Sequence, residues 1–150
     1  MKNLLAKQTR FSYAAAAGAL LCLLAFIVYL INSTTGYLAG TALDPLVILF
    51  SLLAFACGLA MFLLGEKLGR FAGFGYLAMG VFLSLSIAAL ILSRQQIVAD
   101  IYFIPVNHPV AEEATFGGSV AALLLYLLAF LAAVYATFGE KPFKQSKAEA

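Results

Sequence analysis

Four long apolar runs, at approximately 11–31, 45–65, 71–93 and 117–138, alternate along the chain with polar segments of unequal length. Each run is free of charge and about as long as the ~20 helical residues needed to cross a hydrocarbon core of ~30 Å. Strands of a membrane barrel would alternate apolar and polar residues, whereas these runs are apolar on every face, so they predict helices. The expected fold class is all-α integral membrane, a single domain of four transmembrane helices in an antiparallel bundle.

The connections refine that picture. Asn32 to Asp44 is rich in Ser, Thr and Gly, and Asp44 followed by Pro45 suits a helix cap and a first helical position, so 32–44 is expected to be a short loop. Segment 66–70 leaves room for a tight hairpin turn alone, with Glu66 and Arg70 spaced to pair across one helical turn. The third connection, 94–116, is the longest and is long enough to hold an interfacial helix. The tail 139–150 is short and charged.

Composition agrees with the pattern: 64% of the residues are hydrophobic and 11% charged, which excludes a water-soluble globule. The net charge of +2 matters less than its placement. Lys2, Lys7 and Arg10 lie before the first run, Lys67 and Arg70 in the tight turn, and Lys141, Lys144 and Lys147 in the tail, leaving Arg94 alone in the long connection. That asymmetry predicts cytoplasmic termini, a cytoplasmic 66–70 turn, and outer loops at 32–44 and 94–116, in the plasma membrane. There is no basic patch suited to nucleic acid. The first apolar run exceeds the ~7–15 residues of a cleaved signal core, so it reads as a retained first span. Cys22 and Cys57 fall inside apolar runs without a CxxC pair, and small apolar packing roles are expected for both. Tyr13, Tyr29, Tyr37, Tyr76, Tyr102, Phe103, Tyr135 and Phe138 lie mostly near span ends, as an aromatic belt would.

The spans carry no acidic, basic or histidine residue of the kind that binds a coupling ion or relays protons at membrane depth. Their polar groups are light, including Ser12, Ser51, Ser84, Ser86, Ser119 and Thr137; Ser84 and Ser86 are candidates for lining a water path, with helix packing as the expected role. Small residues recur four apart at Ala14 and Gly18, Ala54 and Gly58, Gly65 and Gly69, Gly69 and Gly73, and Ala129 and Ala133. In a four-helix protein most such pairs serve contacts within the bundle.

The informative polar residues collect between Arg94 and Phe116. Apolar residues there, among them Ile97, Ile101, Tyr102 and Phe103, are more than a solvated linker needs, so Gln95 to Ile104 is expected to lie along the outer interface, cover the bundle or touch another protein. Pro105 ends any helix there, and His108-Pro109 followed by Glu112 and Glu113 fits the start of the fourth helix, where the dipole favours anions. Gly117 and Gly118 are positions where that helix could bend. His108 and Glu112, with Glu113 or Asp100, are too few and too loosely arranged for a metal site, which wants three or four convergent ligands. Arg94 is expected to snorkel from the end of the third span, or to pair with Asp100 or Glu112. The candidate contact surface is therefore Arg94, Ile97, Asp100, Ile101, Tyr102, Phe103, His108, Glu112 and Glu113.

Cytoplasmic termini, a short first outer loop, a very short inner turn and a long second outer loop resemble the layout of tetraspanins. The resemblance is one of topology: the long loop has no cysteine and no Cys-Cys-Gly motif, so neither the tetraspanin disulfide fold nor its function transfers. The exporters that depend on a glutamate in their first helix are excluded by a first span with no acidic residue. The expectation is a small bacterial membrane protein, non-enzymatic and without cofactor or metal. Its partners are the lipid bilayer and either another membrane protein or a second copy of itself. It acts as an accessory or structural subunit of a membrane complex, or alternatively as a homo-oligomeric channel or facilitator for a small neutral solute or ion.

Overall fold

The computed structural model describes residues 10–68, 71–103 and 110–138. Four helices account for nearly all of them: α1 (Arg10–Thr34), α2 (Pro45–Leu68), α3 (Ala72–Phe103) and α4 (Val110–Thr137), with one short 3-10 turn at Gly36–Leu38. There is no strand among the described residues. Each helix is long and apolar enough to cross a membrane. Neighbours in the chain pack side by side, and α4 closes the ring against α1.

The inward faces follow helical spacing. On α1 they are Ala15, Ala19, Cys22, Ala25 and Tyr29, and on α4 Ala122, Tyr126, Ala129, Ala133 and Ala136, all buried. Small residues at steps of three and four let two helix backbones approach closely, which is what drives association where lipid already solvates apolar side chains. The approach is tight enough that a Cβ on Gly18 would lie 3.2 Å from the Ala129 carbonyl oxygen, and one on Gly58 would lie 2.8 Å from the Ala19 Cβ. Bulk is supplied from α3, whose Met79, Leu83 and Leu90 fill the space between the alanine faces. The large aliphatic residues of α1 and α4, such as Leu20, Leu24, Leu128 and Leu131, point outward instead. About a third of each span's residues are buried, so the apolar remainder is surface for lipid.

The first loop is shorter than the predicted 32–44, because residues 32–34 continue α1 until the glycines that follow. Gly36 and Gly40 take the left-handed conformation that glycine adopts without strain, reversing the chain. The Leu46 N–H donates to the Asp44 carboxylate at 2.9 Å, capping the helix that starts at Pro45.

The third connection differs from expectation. Residues 94–103 are not loop: they continue α3 without a break, and 110–116 already belong to α4. The physical reason is that polar residues do not end a helix; a breaker does, and none occurs before Pro105. Residues 104–109, including His108, lie outside the described residues, as do 69–70 of the hairpin turn and the tail 139–150. The fourth helix starts at Val110 with Glu112 and Glu113 in its first turn, as expected, and runs unbroken through Gly117 and Gly118.

Candidate functional site

Two polar constellations lie inside the bundle. The deeper one joins all four helices at Cys22, Ser51, Ser86 and Tyr126. Ser86 donates to the Phe82 carbonyl at 3.0 Å, Ser51 donates to Ser86 at 3.4 Å, and Ser51 and Tyr126 share a hydrogen bond of 2.6 Å. With the first two protons so committed, Tyr126 is the donor to Ser51. Cys22 Sγ adds a long contact of 3.5 Å to the Ser51 carbonyl. In a dry interior a satisfied chain of this kind strengthens its own members and fixes the register of the helices that carry them. Toward the opposite end from Arg94, Ser12 and Tyr76 form a smaller tie of 3.4 Å between α1 and α3.

The second constellation is built at the end of the bundle where α1 meets its loop. Arg94, on α3, points inward: its Nη2 donates to Ser33 of α1, and its guanidinium carbon stands 5.4 Å from the centre of the Tyr29 ring. The Tyr29 hydroxyl in turn accepts the Asp44 N–H at 2.9 Å, and the Asp44 carboxylate attracts Arg94 through space. Beside them, the Asn32 amide donates to the Thr115 carbonyl at 3.0 Å and to Ser119 at 2.9 Å. Gly118 makes that possible, since a Cβ there would come within 2.7 Å of Asn32 Cγ. The role of this glycine is close approach.

Arg94 therefore does not snorkel, nor does it pair with Asp100. Six residues on along one unbroken helix, Asp100 is about 9 Å further along the axis and turned well away. Ile97 and Glu112 are also buried, Asp100 and Ile101 are half-buried, and Tyr102, Phe103 and Glu113 are exposed. Tyr102 packs edge-on against Phe116 with ring centres 6.0 Å apart. Two residues of the expected aromatic belt, Tyr29 and Tyr76, are instead core residues with hydrogen-bonded hydroxyls, while Tyr13, Tyr37, Tyr102, Phe103, Tyr135 and Phe138 are exposed. Tyr126, absent from the sequence-based candidates, is the residue that ties α4 to the deeper network. Its signal was a lone hydroxyl-bearing ring at mid-span, where an interfacial role is excluded by depth.

No protein-family model, curated protein or solved structure matches this chain.

Ser84 and Ser86 face different ways: Ser86 is in the core, while Ser84 is exposed and donates to its own helix at the Val81 carbonyl. Within one chain they do not line a common path. Among the described residues, no three His, Cys, Asp or Glu side chains come together to hold a metal. Cys22 is buried in the core and Cys57 is half-buried; both are free thiols. Two clefts open from the seam between α3 and α4: one of about 190 Å³ beside Arg94, and one of about 390 Å³ beside Ser84.

Proposed function

We propose that this is a non-enzymatic plasma-membrane protein with cytoplasmic termini, acting as an accessory or structural subunit of a membrane complex. The observation that carries the reading is the overhang of α3. At 1.5 Å per residue, its 32 residues run to about 48 Å, well beyond a ~30 Å hydrocarbon core. The overhang ends in Tyr102 and Phe103, which are 66% and 81% exposed. An apolar tip held past the hydrocarbon on a rigid helix is unfavourable surface for a solitary protein and suitable surface for a partner. Asp100 and Glu113 lie on the same end and supply a polar rim.

The test is gentle extraction of the tagged protein from its native membrane, followed by mass and partner analysis of the intact complex. A stoichiometric partner that is lost when Tyr102 and Phe103 are both changed to Ser is the expected result. A partner-free monomer overturns the reading. A homo-oligomer would favour the competing reading, a channel or facilitator for a small neutral solute or ion, in which Ser84 and its cleft face a path between copies.

A further inference from the structure

We infer that a third cleft, between the first loop and the overhang of α3, is a binding site for a primary ammonium group that carries a short apolar body, with the ammonium on Asp100.

The cleft encloses about 430 Å³, within the size range of small-molecule sites. The ~20 residues that α3 needs to cross the hydrocarbon, counted from Ala72, are used up before Ser93, the first helical residue to line it, so it lies at the watery end of the bundle. Unlike the clefts of the α3–α4 seam, it mixes polar and apolar walls. The apolar part is Leu38 from the loop and Ile97 from α3, both buried. Two hydroxyls line the polar part: Thr41 donates to the Leu38 carbonyl at 2.7 Å, and Ser93 donates to the Leu90 carbonyl at 2.8 Å. With those protons spent, both oxygens have only lone pairs to offer a ligand. An ammonium, which has three donors and no acceptor, is their complement.

Asp100 supplies the charge. It is half-buried in the last turn of α3, at the negative end of the helix dipole, and that turn has no basic residue. Arg94 does not neutralise it, being engaged with Ser33 and Tyr29. Segments 32–44 and 94–116 together hold Asp44, Asp100, Glu112 and Glu113 against Arg94 as their one fixed cation, so the local field favours a positive ligand. Tyr37, which is exposed and also lines the cleft, adds an aromatic ring of the kind that attracts ammonium groups. The inference does not rest on the accessory-subunit reading: the double change of Tyr102 and Phe103 that tests that reading leaves Asp100 and the cleft lining in place.

The probe is n-butylamine, titrated by calorimetry onto the full chain in a neutral maltoside detergent, against n-butanol as the same body without charge. At about pH 8 the amine is charged and His108 is neutral, and about 150 mM salt screens attraction from distant carboxylates. The wild type is expected to bind one butylamine saturably and at least about tenfold more tightly than butanol, as a charge-assisted contact requires. Asp100→Asn should lower butylamine affinity about tenfold and abolish the preference. Gln96→Trp, which fills the cleft from an exposed position and leaves Asp100 untouched, should also lower it. Should Asp100→Asn fail to fold, Gln96→Trp decides alone. Displacement of butylamine by phosphatidylethanolamine, and not by phosphatidylglycerol, would identify a lipid headgroup as the source of the ammonium; no displacement by either identifies a soluble amine. Absence of saturable butylamine binding to the wild type, equal binding of butanol, or unchanged butylamine affinity in either folded variant overturns the proposal.

Discussion

Tyr126 on α4 donates its hydroxyl to Ser51 on α2, across the bundle, and the two helices have no extensive direct packing of their own. The bond therefore acts as a diagonal brace. Tyr126→Phe, which keeps the ring and removes the hydroxyl, should destabilise the bundle by about 0.5–1.5 kcal/mol, as buried interhelical hydrogen bonds do in membranes. Unfolding in detergent by increasing SDS would measure it. Ser51→Ala should cost a similar amount, and the double variant less than the sum, because both remove one bond.

Tyr29 serves two partners with different parts of its side chain. Tyr29→Phe retains the ring face over Arg94 and loses the bond to the Asp44 N–H, for a cost of about 1 kcal/mol. Tyr29→Leu loses both and should cost about 1 kcal/mol more. Comparing the two denaturation midpoints separates the ring's contribution from the hydroxyl's. Equal midpoints would show that Arg94 gains nothing from the ring.

Glycines in the bundle should divide sharply by environment. Gly58→Ala places a methyl 2.8 Å from the Ala19 Cβ and should destabilise by roughly 1–3 kcal/mol through overpacking. Gly80→Ala meets nothing within 4 Å and should be neutral or stabilising by up to about 1 kcal/mol, from helix propensity. Thermal unfolding of the two purified variants is sufficient to see opposite signs.

Gly118→Ala should be destabilising because of Asn32, not because of the helix. Its methyl displaces the Asn32 amide from Thr115 and Ser119, at a cost of roughly 1–3 kcal/mol. Adding Asn32→Ala relieves the clash, so the double variant should lose less than the two single losses added together. Simple additivity would place the effect elsewhere.

Orientation can be checked with cysteines. In a chain with Cys22 and Cys57 replaced by Ala, a new cysteine at Tyr37 or Phe103 should react with an impermeant maleimide added to intact cells, and one at Lys141 should react after the cells are opened. The reverse pattern would invert the assigned topology.

The spans, their number and the capped start of α2 were legible because length without charge and an Asp-Pro pair are strong local signals. Which way each helix faces was not. In water the inward face is the apolar one; here Leu24 toward lipid and Ala25 toward the core are both apolar, so hydrophobic periodicity has little contrast to read. The useful contrast was size, with alanines inward and leucines outward, and it becomes visible only once the partner helix is known. The candidate surface was partly legible. Tyr102 and Phe103 are exposed, but the half-buried Arg94 and the buried Ile97 turn inward, since α3 continues past the expected membrane boundary and its rotation carries those positions toward the bundle, and Glu112 is buried in the first turn of α4.

The closure of α4 on α1 has a consequence for biosynthesis. The pair is in contact along its length, from Phe11 and Tyr135, with ring centres 5.3 Å apart, through Gly18 and Ala129 to Asn32 and Thr115. Yet α1 leaves the ribosome first and α4 last. Until α4 arrives, the alanine face of α1 and the amide of Asn32 have no final partner, and two further spans must be inserted in the meantime. The nascent bundle is thus an open-sided assembly that depends on its last helix, and a ribosome stalled within α4 would leave an insertion intermediate with that flank exposed to the translocation and quality-control machinery.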